Sequence, residues 1–151
     1  MSRERDIRTA IQNALAATQA FDGVHVFGLP EDCGSSADEL AMAVIMPRST
    51  QEDDLWDAGP AGGVIYRCTM ALTVLARNED PQARDEAAER LLNIAMNAIN
   101  GQDLVPGLTI PDKTIVASWD WQKEEHPERR INCTISVWYE VEGWDAQDTT
   151  P

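Results

Sequence analysis

The sequence has 151 residues, of which 43% are hydrophobic, and its 26 acidic and 12 basic side chains give a formal net charge of -14 at pH 7. This length suits one domain with its own core, because roughly two thirds of the unfolded surface can be buried at this size. So acidic a chain lacks the basic excess that displaces counterions from phosphates, which argues against a protein that wraps nucleic acid.

Membrane insertion and secretion are also disfavoured. No run of about eighteen apolar residues is present, and the charged start MSRERDIRTAIQNAL lacks the apolar core of a secretory signal. The three cysteines, Cys33, Cys68 and Cys133, form no CxxC pair, a pattern typical of reduced thiols. We therefore expect a protein that is made and kept in the cytoplasm and has no membrane partner.

The first third of the chain predicts one helix and two short strands. An apolar stripe indicates a helix from Ser2 to Gln19, and the run GVHVFG predicts a strand from Val24 to Phe27. The run LAMAVIMP predicts a second strand that ends at Pro47. The following segment, Arg48 to Gly63, has no period and is rich in acids, so we expect a long connection there.

The clearest pattern is a long strand followed by a long helix. Alternation from Val64 to Arg77 gives one wholly apolar face and one mixed face. Pro81 is suited to the first position of a helix, with Asp80 as its cap, and the helix should end near Asn100. Its expected buried stripe consists of Ala83, Ala87, Leu91, Ile94, Ala95, Ala98 and Ile99.

The last part of the chain predicts an antiparallel hairpin. The run KTIVASWDW places Ile115, Ala117, Trp119 and Trp121 on one side, and a second alternating run extends from Ile131 to Val141. Together the elements predict an α+β fold, a mostly antiparallel sheet with two helices packed on it. We expect a single domain over residues 1–143 and a disordered tail over residues 144–151.

No pattern in the sequence carries an enzymatic or metal site. The spacing of the five possible thiol or imidazole ligands matches no zinc site; these ligands are Cys33, Cys68, Cys133, His25 and His126. Cys68 and Cys133 also fall on apolar strand faces, where a thiol behaves as a small hydrophobic residue. A Cys33 nucleophile activated by His25 lacks an orienting third residue. We predict no catalytic residues, no metal and no cofactor.

Two features favour an interface instead. The acidic group Glu52, Asp53, Asp54 and Asp57 lacks the spacing and glycine of a calcium loop, so a solvated loop face is the better interpretation. Trp56 lies in this loop and Trp138 on the polar face of its strand, whereas Trp119 and Trp121 are expected to cover helices in the core. We therefore take Asp53, Asp54, Trp56, Asp57 and Trp138 as candidate subunit or tube interface residues, although Trp138 and Trp56 could equally lie on their own domain's surface.

The order of elements resembles the tail terminator, or tail completion, proteins of long-tailed bacteriophages, including the lambda-like minor tail proteins. The resemblance covers about Asp6 to Gly143 and rests on three features. These are the N-terminal helix leading into GVHVFG, the strand VIYRCTMALTVLARNED running into PQARDEAAERLLNIAMNAING, and the closing hairpin KTIVASWDW and RRINCTISVWYEVEG.

This resemblance implies a virion structural protein without enzymatic activity, assembled in the host cytoplasm. It would form a ring, commonly a hexamer, on the head-proximal end of the tail tube, where it stops polymerisation and offers a surface to the head connector or head-closure protein. DNA would pass through the lumen without specific binding. Another neck component or a tail tube subunit is an alternative, and a small ligand-binding or enzymatic α+β domain is an alternative of a different class.

Overall fold

A computed structural model describes residues 3–27, 40–52, 64–110, 114–122 and 126–141. Its elements in chain order are α1 (Arg3–Ala17), β1 (Gly23–Val26), β2 (Leu40–Glu52), β3 (Val64–Arg77), α2 (Pro81–Ile99), β4 (Ile115–Trp121) and β5 (Glu128–Val141). The strands form one sheet in the order β1-β2-β3-β5-β4. The expected domain limit at residue 143 and the tail over residues 144–151 lie outside the described residues.

The sheet is mostly antiparallel, as predicted, with one parallel pair at its edge. Strand β3 lies at the centre and pairs antiparallel with both β2 and β5, and β4 pairs antiparallel with β5. Strand β1 pairs parallel with β2, which makes the sheet mixed. The α+β prediction is confirmed, since both helices contact this sheet.

The core lies between the helices and one face of the sheet. On β3, the alternate residues from Cys68 to Ala76 are buried, which confirms the predicted core face. Helix α1 contributes Ile7, Ile11 and Leu15, all fully buried, as its apolar stripe predicts. On the opposite, mixed face of β3, Ile65 and Leu75 are buried as well.

Strand β2 continues past Pro47 to Glu52, so the prediction that it ends at this proline was wrong. Phe27 N donates to Ile45 O, and alternation along the strand therefore directs the nitrogen of Pro47 away from β3. On that side β1 has already ended at Val26, so the missing N–H breaks no ladder bond. A bulge between Pro47 and Ser49 accommodates the ring.

Helix α2 starts at Pro81 as predicted, but its buried stripe is rotated. The buried positions are Arg84, Ala88, Leu91, Leu92, Ala95 and Ile99, and the predicted Ala83, Ala87, Ile94 and Ala98 are only partly buried. The cap also differs: Asp80 occupies the N-cap position with extended backbone but makes no side-chain cap hydrogen bond. Instead, its main-chain N–H donates to Asn78 Oδ1 at 2.9 Å.

The β4–β5 hairpin is confirmed, but an irregularity in β4 changes which residues share a face. The register shifts between Ala117 and Trp119, and Ser118 has a φ of 34°. Val116 therefore lies opposite Ile135 on the helix-covered face, together with Trp119 opposite Cys133. The predicted alternation, which placed Val116 on the side opposite the two tryptophans, was wrong because a bulge inserts one extra residue.

Candidate functional site

The predicted interface residues are only partly within the described chain. Asp53, Asp54, Trp56 and Asp57 lie outside the described residues. Trp138 lies on β5 opposite Arg67 and is partly buried, and its carbonyl oxygen accepts a hydrogen bond from Ile110 N at 2.8 Å. Its main chain therefore holds the segment between α2 and β4, while its role in an interface stays a prediction.

Exposed apolar side chains gather on the outer strands instead. Four large hydrophobic residues of the described chain are well exposed: Phe27 at 64%, Trp119 at 48%, Trp121 at 41% and Met46 at 41%. Phe27 directly follows β1, and both tryptophans belong to β4, so three of them lie at the two edges of the sheet. The prediction that Trp119 and Trp121 are buried under the helices was wrong, because β4 is the outermost strand.

An arginine guanidinium packs against each of two exposed rings. The Arg8 guanidinium lies 4.9 Å from the centroid of the Phe27 ring, and that of Arg129 lies 4.7 Å from the Trp121 ring. Such cation–π contacts fix the orientation of partly exposed rings at modest energy. Both edges of the sheet therefore present an oriented aromatic side chain, which is the residue type enriched in protein interfaces.

A charged cluster joins the start of α2 to the start of β5. Arg84, only 1% exposed, donates from Nε to Asp85 Oδ1 at 3.0 Å, and its Nη1 lies 3.3 Å from His126 Nδ1. Asp85 also lies 3.7 Å from Arg129 Nε, and His126 Nε2 lies 3.4 Å from a Glu79 carboxylate oxygen.

Within this α2–β5 cluster, the donor and acceptor roles of His126 depend on its tautomer. The Arg84 guanidinium can only donate, so a hydrogen bond at this contact has His126 Nδ1 as its acceptor. Burial of Arg84 requires such partners, since an unpaired buried charge is strongly destabilising. The cluster thus anchors the helix to the sheet, and it includes three of the eight charged side chains between Ala76 and Leu91.

A second group of charged side chains, centred on Glu128, lies at the same end of the sheet. Arg77 donates to Glu128 across the β3–β5 ladder, and Arg130 donates to the other carboxylate oxygen of Glu128 at 3.2 Å. Burial alone would raise the pKa of Glu128, but the hydrogen bonds from Arg77 and Arg130 outweigh it and lower the pKa below its ordinary value of 4.5. The carboxylate of Glu128 on β5 therefore joins this strand to Arg77 of β3.

The described thiols are poor nucleophiles. Burial raises the pKa of Cys68 and of Cys133 to about 11, so both remain protonated at neutral pH. Cys33 lies outside the described residues, so its pairing with His25 is untested. Within the described ranges, no group of three or more His, Cys, Asp or Glu residues is placed to hold a metal ion. In the same part of the chain, no helix has the length and apolar character to span a bilayer.

Replacing Arg84 tests whether the α2–β5 cluster anchors the helix. Arg84→Ala should lower the free energy of unfolding by about 3 kcal/mol, because it opens a cavity and leaves Asp85 and His126 without their buried partner. Urea denaturation measures the change, and Arg90→Ala, at an exposed position of the same helix, is the matched control. Equal stability of the two variants would show that the cluster does not anchor α2.

The Glu128 pair predicts a pH-dependent contribution to stability. A carboxyl group with a lowered folded pKa stabilises the fold above its unfolded pKa, near 4.5, and this contribution is lost as pH falls through the folded value. Glu128→Gln should therefore cost about 1 kcal/mol at neutral pH and progressively less in acid. Urea titrations over the acid range measure this, with Glu89→Gln on the exposed face of α2 as control. A cost that does not change with pH would contradict the assignment.

Comparison with known proteins identifies the fold but no sequence family. No family model matches the chain, and no curated protein matches it. A solved structure described as the virion of a native gene transfer agent particle contains a chain with the same fold, at a TM-score of 0.54 and 16% identity. The match covers 93% of this chain and 96% of that chain.

A second solved structure is described as the sheath/tube terminator of an extracellular contractile injection system, PVC, in its extended state. It matches at a TM-score of 0.40 and 19% identity, over 97% of this chain and 59% of that chain. The present chain thus spans about three fifths of that terminator. The chain therefore has an α+β fold that is also found, over nearly its full length, in a subunit of a gene transfer agent virion.

Proposed function

We propose that this protein is a virion structural subunit that forms a ring, a hexamer, on the head-proximal end of a tail tube. There it stops tube polymerisation and provides the surface for head–tail joining. The observation that carries the proposal is the fold shared with a gene transfer agent virion chain over 93% of one chain and 96% of the other. The resemblance of the element order to phage tail terminators supports the more specific role.

The described surface is compatible with assembly. Exposed aromatic residues lie at both edges of the sheet, and aromatic residues are enriched in protein interfaces. The contacts of Arg8 with the Phe27 ring and of Arg129 with the Trp121 ring orient one aromatic side chain at each edge. Side chains that are already oriented lose less conformational entropy on binding, which favours assembly.

The partners follow from this role. They are further copies of the chain, the tail tube protein and a head connector or head-closure protein. A net charge of -14 repels phosphate, which suits a ring whose lumen must pass DNA without retaining it. The protein acts in the tail or neck of the particle, after assembly in the host cytoplasm, and requires no catalytic residue, metal or cofactor.

Ring formation is the first expected result. Purified protein, alone or mixed with purified tail tubes, should give a particle of about six subunits, measured by multi-angle light scattering after size exclusion. The reason is that exposed aromatic edges gain buried area when copies associate. A chain that remains monomeric both alone and with tubes would contradict the proposal.

Deletion of the gene is the second test. Particles made without the protein should show filled heads beside unattached tails of abnormal length, because nothing then stops tube growth at the correct subunit number. Negative-stain electron micrographs give the tail-length distribution, and a complementing copy of the gene is the control. Tails of normal length with unattached heads would refute the terminator role and favour another neck component.

A further inference from the structure

Two strands form the edges of the described sheet, and they lie at its opposite ends. Strand β1 neighbours only β2, and β4 neighbours only β5, among the described strands. A contact between β4 of one copy and β1 of the next is heterologous, since it joins two different surfaces. Repetition of a heterologous contact closes into a ring when the rotation between copies is suitable.

The main chain of β4 directs two residues toward this outer edge. Gln122 N donates to Arg130 O on β5 at 3.0 Å, and residues of an antiparallel ladder alternate in the direction of their main-chain groups. Asp120 is therefore also paired inward, while the N–H and C=O groups of Trp119 and Trp121 are directed away from β5. Residues 118–121 are all exposed, which agrees with an outer edge that projects from the domain.

The main chain of β1 shows the same alternation. Phe27 N donates to Ile45 O at 2.9 Å, so alternate residues, including His25, face β2. Val24 and Val26 are then directed outward, and Val24 O indeed accepts a hydrogen bond from Gln12 Nε2 of α1 at 2.9 Å. The outward groups of β1 are spaced by two residues, as those of β4 are.

The pairing registers place these edge residues at matching heights. Three transverse rows of the sheet each run from a residue of β1 to a residue of β4. The rows are Val24-Ala43-Val74-Ile131-Trp121, His25-Val44-Thr73-Asn132-Asp120 and Val26-Ile45-Leu72-Cys133-Trp119. Strand β4 runs opposite to β1, so a second copy in the same orientation meets it as an antiparallel neighbour.

We propose that neighbouring copies join their sheets edge to edge, with Trp119–Trp121 of one copy paired antiparallel to Val24–Val26 of the next. This inference rests on the proposed ring and names the surface that forms it. Val26 and Trp119 exchange two main-chain hydrogen bonds, and Val24 N–H donates to Trp121 O. The continuous sheet thereby satisfies edge groups that would otherwise invite uncontrolled pairing.

The side chains of the two edges are complementary. His25 lies opposite Asp120 in the joined sheet, which sets a carboxylate against an imidazole that can donate to it. Val26 lies opposite Trp119 on the helix-covered face, next to Phe27. The Arg8 guanidinium lies 4.9 Å from the centroid of the Phe27 ring within one copy. In the joined sheet, the half-exposed Trp119 ring of the next copy lies near enough to form a second cation–π contact with Arg8.

Disulfide trapping tests the pairing directly. His25 and Asp120 form a non-hydrogen-bonded pair across the proposed interface, where Cα atoms are about 4.5 Å apart and a disulfide is geometrically allowed. In a Cys33→Ser background, with Cys68 and Cys133 buried, His25→Cys and Asp120→Cys are made separately and together. Mild oxidation should link the two single variants only when they are mixed, and the double variant should give a ladder ending at the ring number. Asn93→Cys, exposed on α2, is the control and should not be linked.

The outcomes separate this inference from the proposed function. If wild-type rings form but the mixed variants are not linked, or if either single variant links to itself, the edge pairing is overturned and the ring proposal stands. If the wild type forms no ring alone or with tail tubes, both fail.

A main-chain substitution gives a second readout. Val26→Pro removes an outward N–H without touching the β1–β2 ladder, so each subunit contact should weaken roughly tenfold. Val26 also packs against the core, so both substitutions should lower the thermal stability of the monomer. Val26→Thr, which changes the same side chain and keeps the N–H, is therefore the matched control and should associate about tenfold more tightly than Val26→Pro. Equal association of the two variants would overturn the pairing.

Discussion

The pairing of β3 along its whole length with β5 is the constraint on which the rest of the structure depends. All residues from Val64 to Arg77 have a partner on β5, without a register shift, and β2 covers the other side of β3 with one bulge. Because side chains alternate with a period of two, this register decides which residues of every strand face the helices. The same register determines which residues of β1 and β4 lie in one transverse row of the sheet. It therefore determines which residues of β4 face β1 of a neighbouring copy in the proposed ring.

Much of this architecture could be predicted, because its signals are local. The alternation of side chains from Val64 to Arg77 predicted both ends of β3, and Pro81 predicted the start of α2. The errors have equally physical causes. The buried stripe of α2 includes Arg84, a charged residue that an apolar pattern cannot indicate. The bulge at Ser118 depends on pairing between strands, which a single strand's pattern does not reveal.

The candidate interface was harder to predict, because exposure is a tertiary property. Trp138 was singled out from its place on a polar strand face, yet β5 is an inner strand and Trp138 is partly buried. Trp119 and Trp121 looked like core residues, and only the strand order shows that β4 is an edge. Four of the predicted positions, Asp53, Asp54, Trp56 and Asp57, lie beyond the described ranges, and their role stays a prediction.

Charged residues at the start of α2 join the helix to the sheet. Arg84 contacts His126 and Asp85 contacts Arg129 near the start of β5, and Glu128 joins β5 to Arg77 at the end of β3.

The proposed function is that subunits with this fold cap a tail tube as a ring. Cryo-electron microscopy of the protein bound to purified tail tubes tests it most directly. We expect a single ring at one end of each tube, with β4 of every subunit beside β1 of its neighbour; tubes with both ends bare, or with protein along their sides, would refute the proposed role.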